Sequence, residues 1–339
     1  MKQLLILFLA FLGSSASAQT EIDVLKIWDS APHNAFTDLV RYKGSFYCTF
    51  REGVSHVPKG RPENGKIRIL KSPDCIKWKS VALLENEQYD LRDPKISVTP
   101  DERLMVIMGG SDYTTGSLLG CLTHVSFSQN GKDFSAPQPV EIEPSVKTDY
   151  DWIWRITWKD GIGYGVVYQP HQPDGEFVAQ LLKTSDGIRY KLISKLDVKG
   201  KPNEATVRFD GDRIYIVIRR EGPGTNGVMG VSNPPYQSWV WIDLGMKVGG
   251  PDFIFIGPDR IAMGTRLYRS DDKGGVKTGI VYMNSAGLTD HIVDLPSGGD
   301  TSYPGMVMYH GTLYISYYSS HENKTSIYLA RIDIKDQKK

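Results

Sequence analysis

Short apolar-rich runs alternate with clusters of turn-forming residues along almost the whole chain. Past the N-terminal segment, apolar residues do not recur at the i, i+3, i+4 spacing of amphipathic helices. This pattern predicts an all-β fold. The turns recur as well. Lys43-Gly44, Pro100-Asp101, Asp160-Gly161, Asp210-Gly211, Pro258-Asp259 and His310-Gly311 each separate two strand-like runs. Asp38-Leu39-Val40-Arg41-Tyr42 precedes the first turn, and Phe46-Tyr47-Cys48-Thr49-Phe50 follows it. Six hairpins spaced by about 50 residues predict a six-bladed β-propeller in which one hairpin opens each blade.

A second repeat runs in phase with the first. The segments starting at Ser72, Ser128 and Thr184 begin 56 residues apart, and each reads Ser/Thr-x-Asp/Asn-x-x-x-aromatic, ending at Trp78, Phe134 and Tyr190. Short polar side chains can hydrogen-bond the backbone of a tight turn while the aromatic ring packs beneath it. The motif resembles a slightly shortened Asp-box hairpin of sialidases. That resemblance implies a structural place between the outer strands of a blade, away from the active site. The N-terminal run Ile22 to Trp28 has no blade of its own, and the last blade is short of an outer strand. Pairing the two would close the ring and remove free sheet edges.

The first residues carry a different pattern. Lys2 precedes an apolar run from Leu4 to Leu12, too short to span a bilayer, and an Ala-x-Ala pattern follows at Ala16 to Ala18. Residues 1–18 therefore read as a secretory signal peptide. Residues 19–339 read as a single propeller exported to the periplasm or the extracellular space. No later stretch is long and apolar enough to cross a membrane as a helix. With 40 basic and 39 acidic residues the net charge is +1, which argues against a nucleic-acid surface. Cys48, Cys75 and Cys121 are too few and too scattered for a disulfide framework or a metal site. The chain also lacks a Gly-rich phosphate loop and a His-Glu-x-x-His helix, so no cofactor or metal is expected. The 18 tyrosines and 7 tryptophans suit both sheets and sugar-binding walls, and a glycan is the expected partner of a monomer.

In a propeller the start of each blade's first strand and the end of its second strand face the central funnel. Here the blade starts supply His33, Asp38, Arg92, Asp93, Trp152, Glu204, Asp300 and Tyr303. The second-strand ends supply Arg51, Arg219, Arg220, Arg266 and His321. Asn203-Glu204-Ala205, Arg219-Arg220, Thr265-Arg266-Leu267 and Thr301-Ser302-Tyr303-Pro304 follow the order and rough separations of the sialidase site, so the chain resembles the sialidase superfamily. The resemblance implies a secreted glycoside hydrolase cleaving a terminal, acidic sugar. Tyr303 would be the nucleophile and Glu204 its proton acceptor, while Arg51, Arg92, Arg219, Arg220 and Arg266, with Asp38 and His321, would bind substrate. A phenol is a poor nucleophile while protonated, and a neighbouring carboxylate can take its proton during attack. Guanidiniums grip a substrate carboxylate bidentately.

Two departures from the family pattern stand out. The first blade has Asn34-Ala35-Phe36-Thr37-Asp38 where the family carries an arginine, and the loop Glu52 to Lys66 offers His56 but no aspartate to act as acid. Arg92-Asp93-Pro94 is the candidate replacement for both, and Asp93 is the third expected catalytic residue. Two alternatives remain open: a carboxylate-only glycosidase using Asp38, Asp93 and Glu204, and a carbohydrate-binding propeller without chemistry.

Overall fold

The computed structural model describes residues 22–170, 174–269 and 275–334. The segment read as a signal peptide lies outside them. Apart from one 3-10 turn at Arg61–Glu63, the regular elements among the described residues are all β-strands.

All six expected hairpins form. Three of them turn through residue pairs with positive φ: Lys43 and Gly44 (43° and 77°), Asp160 and Gly161 (49° and 80°), and His310 and Gly311 (50° and 82°). Such a pair follows the right-handed twist of the flanking strands. The three Ser/Thr-x-Asp/Asn turns share one hydrogen-bond pattern. Asp74 Oδ1 accepts from the amides of Ile76 and Lys77, Asn130 Oδ1 from those of Lys132 and Asp133, and Asp186 Oδ1 from those of Ile188 and Arg189, all at 2.8–3.0 Å.

The strands form a propeller of largely antiparallel sheets around a central axis. Four sheets are separate and four-stranded. They begin with the hairpins His33–Tyr42/Ser45–Gly53, Pro202–Asp210/Arg213–Arg220, Asp252–Gly257/Arg260–Tyr268 and Thr301–Tyr309/Thr312–Ser319. In the last of these the outer strand is Ile22–Trp28, which runs antiparallel to Ser326–Asp333 with Ile22 opposite Ile332. The N-terminal strand therefore closes the ring as its pattern predicted.

The sequence also predicted six blades, and here the structure differs. Residues 90–196 form one ten-stranded sheet. Tyr150 and Asp151 pair in parallel with Cys121 and Leu122, and Glu141 and Ile142 pair in parallel with Arg189 and Tyr190. Thr123 fastens the junction: its hydroxyl donates to the carbonyl of Asp151 at 2.7 Å and accepts the amide of Ile153 at 2.9 Å. The inner strand there is broken into Tyr150–Ile153 and Thr157–Lys159, which leaves its first half available to the neighbouring sheet.

Apolar residues on alternate positions of neighbouring sheets interlock between them. Val207, Ile214, Ile216 and Ile218, for example, pack on Val166, Leu181 and Leu196. The axis itself is polar. Arg155 Nη1 lies 2.6 Å from Asp38 Oδ1 and 3.5 Å from Asp252 Oδ2, and Arg208 Nη2 lies 2.6 Å from Asp252 Oδ1. Asp38 and Asp252 are fully buried, so these charges persist because each has a partner and further hydrogen bonds.

Candidate active site

Four inner strands carry a β-bulge near their start, between Ala35 and Asp38, Arg92 and Lys95, Pro202 and Ala205, and Ser302 and Gly305. A bulge places two residues against one on the partner strand and re-aims a side chain. The re-aimed positions include Phe36, Asp93, Glu204 and Tyr303, and all four line the same cavity. Phe36, Asp93 and Tyr303 sit at φ of 64°, 50° and 52°. Left-handed backbone costs about 1–3 kcal/mol at a non-glycine residue, and bulky phenylalanine and tyrosine are uncommon there. Three equivalent strained positions around one cavity mark it as the place the fold is shaped to serve.

The cavity holds about 410 Å³ at the mouth of the channel, and side chains from all six hairpins reach it. At its floor the Tyr303 hydroxyl donates a short hydrogen bond to Glu204 Oε1. Arg219 Nη1 lies 2.7 Å from the same oxygen and 3.4 Å from the Tyr303 hydroxyl, and its Nη2 pairs with Glu221. The amide of Gly250 donates to Glu204 Oε2 at 2.7 Å. Only glycine fits at position 250, because φ is 58° and a Cβ there would lie 2.8 Å from the Tyr303 ring.

Burial opposes ionisation of Glu204, but the charge of Arg219, hydrogen bonds from Arg219 and Tyr303, and the charge of Arg266 outweigh it and hold the carboxyl below its usual range. Burial and the charge of Glu204 push the Tyr303 phenol well above its ordinary value, against the pull of Arg219. Both shifts favour a neutral phenol donating to a carboxylate.

Asp93 faces the pair. Its Oδ1 is buried without a hydrogen-bond partner among the described residues, and its Oδ2 is 3.6 Å from Arg92 Nε. Burial raises its pKa despite Arg92 and Lys95, which favours the protonated acid. Below Tyr303 lies Lys95, buried, with Nζ 4.6 Å from the Trp154 ring centre and 5.5 Å from that of Tyr303. Burial and the charge of Arg155 lower its pKa to about 8.

Arg266 and Arg92 complete the basic wall. Arg266 donates to the Thr301 carbonyl at 2.8 Å and to the Tyr318 hydroxyl at 3.2 Å, and has no carboxylate partner among the described residues. Arg92 donates to the Tyr113 hydroxyl at 3.0 Å and to the His56 carbonyl at 3.1 Å. Opposite stand Trp152 and Tyr168, stacked 5.7 Å apart at 14°. Trp152 lies flat over Gly109, where any Cβ would come within 2.7 Å of its ring.

Six of the ten expected site residues thus converge: Tyr303, Glu204, Asp93, Arg92, Arg219 and Arg266. Four do not line the cavity. Arg51 is fully buried against Asp90, with Nη2 2.6 Å from Oδ1, because strand alternation turns it between two sheets. Arg220 follows Arg219 and so points the other way, to the Asn226 carbonyl at 2.6 Å and Asp243 at 3.1 Å. Asp38 is buried in the axial network. That removes the carboxylate-only trio, which needs it in the cavity. His321 bonds Ser319 at 2.9 Å and lies against Tyr328.

Sequence reasoning missed the roles of Tyr113, Tyr168, Lys95, Gly250 and Tyr318. Trp152, read from the sequence among the blade starts, does line the cavity, whereas Trp154 is core. A larger groove of about 680 Å³ is lined by Pro139, Tyr190 and charged residues of which Glu141, Lys147, Arg189 and Lys191 are exposed.

Solved structures repeat this architecture. A protein of unknown function from Dyadobacter fermentans superposes with a TM-score of 0.79 at 18% identity, over 92% of this chain and 99% of that one. Trypanosoma rangeli sialidase bound to the inhibitor DANA gives 0.67 at 12%, over 92% of this chain and 60% of that one. An α-L-arabinofuranosidase from Fusarium graminearum in complex with an iminosugar inhibitor gives 0.66 at 13%, over 92% and 98%. The fold is that of the sialidase propeller. This chain spans about 60% of the sialidase's length, and at these identities the likeness is one of fold alone. No family model and no curated protein matches the sequence. Among the described residues of this sialidase-type propeller, no helix is long and apolar enough to cross a membrane.

Proposed function

We propose that this protein is an exported glycoside hydrolase that removes a terminal acidic sugar from a glycan, working in the periplasm or outside the cell. The ten-stranded sheet then counts as two fused blades, giving six in all, and the three Asx turns are shortened Asp boxes on the outer rim.

The observation that carries this reading is the Tyr303–Glu204–Arg219 contact on the cavity floor. Tyr303 Oη attacks the anomeric carbon and its proton passes to Glu204. Asp93 gives its proton to the departing oxygen as that bond breaks. Water then attacks the tyrosyl-linked sugar, giving a proton back to Asp93, while Tyr303 leaves as the phenol with the proton from Glu204. The charges on the walls favour an anionic sugar. Arg92, Arg219 and Arg266 face the cavity, and Arg266 has no carboxylate partner among the described residues. Burying an unmatched guanidinium is unfavourable until a substrate carboxylate pairs with it.

The test is a screen of aryl glycosides and natural oligosaccharides, acidic sugars included, with reducing-end detection. Release of a terminal acidic sugar that Tyr303→Phe abolishes supports the hydrolase. Binding of acidic sugars in the cavity with no cleavage would instead identify a carbohydrate-binding propeller.

A further inference from the structure

Three side chains beside the cavity are not used by the reaction above. His33 opens the first inner strand, His56 sits in the loop after the first hairpin, and Asp300 precedes the last inner strand. They are as many as 267 residues apart, yet His33 Nε2 lies 3.0 Å and His56 Nδ1 2.8 Å from the same oxygen, Asp300 Oδ2. The candidate ligand atoms of all three lie within 4.8 Å of one another.

The geometry points to a divalent transition-metal site formed by His33, His56 and Asp300 at the edge of the cavity. Four-coordinate zinc with bonds of about 2.0–2.1 Å holds neighbouring ligand atoms roughly 3.3 Å apart, so the two contacts of Asp300 with His33 and His56 need to open by only a few tenths of an ångström. His56 can supply that movement, being half-exposed and on a loop. The other two ligands are held. The second oxygen of Asp300 accepts the Tyr318 hydroxyl at 2.9 Å, and its amide donates to Ser320 Oγ at 2.8 Å. His33 is buried and packs against Phe36.

An outer partner that fixes a carboxylate ligand is what a metal centre needs. Two imidazoles and one carboxylate select zinc, cobalt or iron over calcium and magnesium, which prefer all-oxygen shells. Three protein ligands leave a position open, and because His56 lines the cavity that position can take a sugar oxygen.

The test uses the full chain, tag removed and chelator-treated, titrated with cobalt(II) and with zinc(II). The expected result is one equivalent per chain, with the visible ligand-field absorption of a cobalt ion of low coordination number. His56→Ala and Asp300→Asn should each weaken binding by more than the roughly 10–100-fold that follows loss of an outer partner. His310→Ala, on a distant turn, should leave it unchanged. The proposal is overturned if the wild type takes up neither ion while its thermal transition is intact. It is equally overturned if His56→Ala binds as tightly as the wild type. Should Asp300→Asn misfold because Tyr318 loses its acceptor, His56→Ala alone decides.

Discussion

Replacing Tyr303 by phenylalanine removes one hydroxyl at the centre of the site and almost nothing else. The ring keeps its contacts with Phe36, Trp154 and Tyr318 at centroid distances of 5.1–5.8 Å. Glu204 keeps Arg219 and the Gly250 amide, both at 2.7 Å. One lost hydrogen bond from a carboxylate that stays paired should cost about 1 kcal/mol, or about 2 °C in Tm for a chain of this size. Catalysis should suffer far more. Removing a nucleophile from a group of residues that acts as a unit lowers kcat by roughly 10⁴–10⁶-fold elsewhere, so a loss of at least about 10³-fold is expected here, with KM within about threefold. Steady-state kinetics on an aryl glycoside of the active sugar, run beside thermal unfolding, reads both numbers. Mass spectrometry after reaction with a fluorinated analogue should find label on Tyr303 in the wild type and none in the variant. Full turnover by Tyr303→Phe would refute the tyrosine mechanism. So would a rate loss no larger than the loss of folded protein.

Four other outcomes follow from the same contacts. Asp93 holds its proton more tightly in the folded chain than the ordinary carboxyl pKa of about 4 allows, so wild-type stability should fall as pH rises through its raised pKa, and Asp93→Asn should abolish that fall in pH-dependent denaturant unfolding. The same variant should lose the alkaline limb of the kcat profile together with most of the activity. Arg51→Ala removes the close partner of buried Asp90 and leaves it the Gly65 amide and Arg92 at 3.7 Å; denaturant midpoints should report a loss of up to about 3–5 kcal/mol while the folded fraction keeps its kcat. Asp38→Asn should likewise destabilise by several kcal/mol, on the order of a broken buried pair, without changing the chemistry, and a selective loss of kcat would revive a carboxylate role for it. Arg266→Ala should raise KM by about 10–100-fold, the equivalent of a charged hydrogen bond, whereas Arg220→Ala should leave it unchanged in the same assay.

The hairpins were legible because a turn needing positive φ restricts the residues that can form it. Lys43-Gly44 and His310-Gly311 announce their geometry locally. The closing strand was legible because Ile22 to Trp28 is a strand pattern without a neighbour. Fusion of residues 90–196 into one sheet was not, since it depends on Thr123 meeting Asp151 across a gap that no local pattern encodes.

In the site, Tyr303, Glu204, Arg219 and Arg266 were readable from their places at strand ends. Arg51 and Arg220 occupy the same kind of place. What separates them is which way the pleat turns, and a shift of one residue reverses that. The bulges at Phe36, Asp93 and Tyr303 also reset the pleat locally, so strict alternation from the hairpin turn misassigns the faces beyond them. Gly250 was hidden for a different reason. Its part is an absence of side chain where a backbone amide must reach Glu204, and it is visible only once Tyr303 is seen above it.

The pairing of Ile22–Trp28 with Ser326–Asp333 also bears on how the chain reaches its folded state. Ile22 and Ile332 are 310 residues apart, and joining ends so distant costs about 5 kcal/mol in loop-closure entropy before any contact is gained. During synthesis Val24, Leu25 and Ile27 must wait, unpaired, until the strand Ser326–Asp333 has emerged. A waiting apolar strand can also be satisfied by the final sheet of another molecule, which exchanges identical contacts and lets both rings close. Refolding at high protein concentration should therefore yield strand-exchanged dimers whose share falls on dilution, and a disulfide engineered between positions 24 and 330, which face each other in the native register, should trap whichever closure came first.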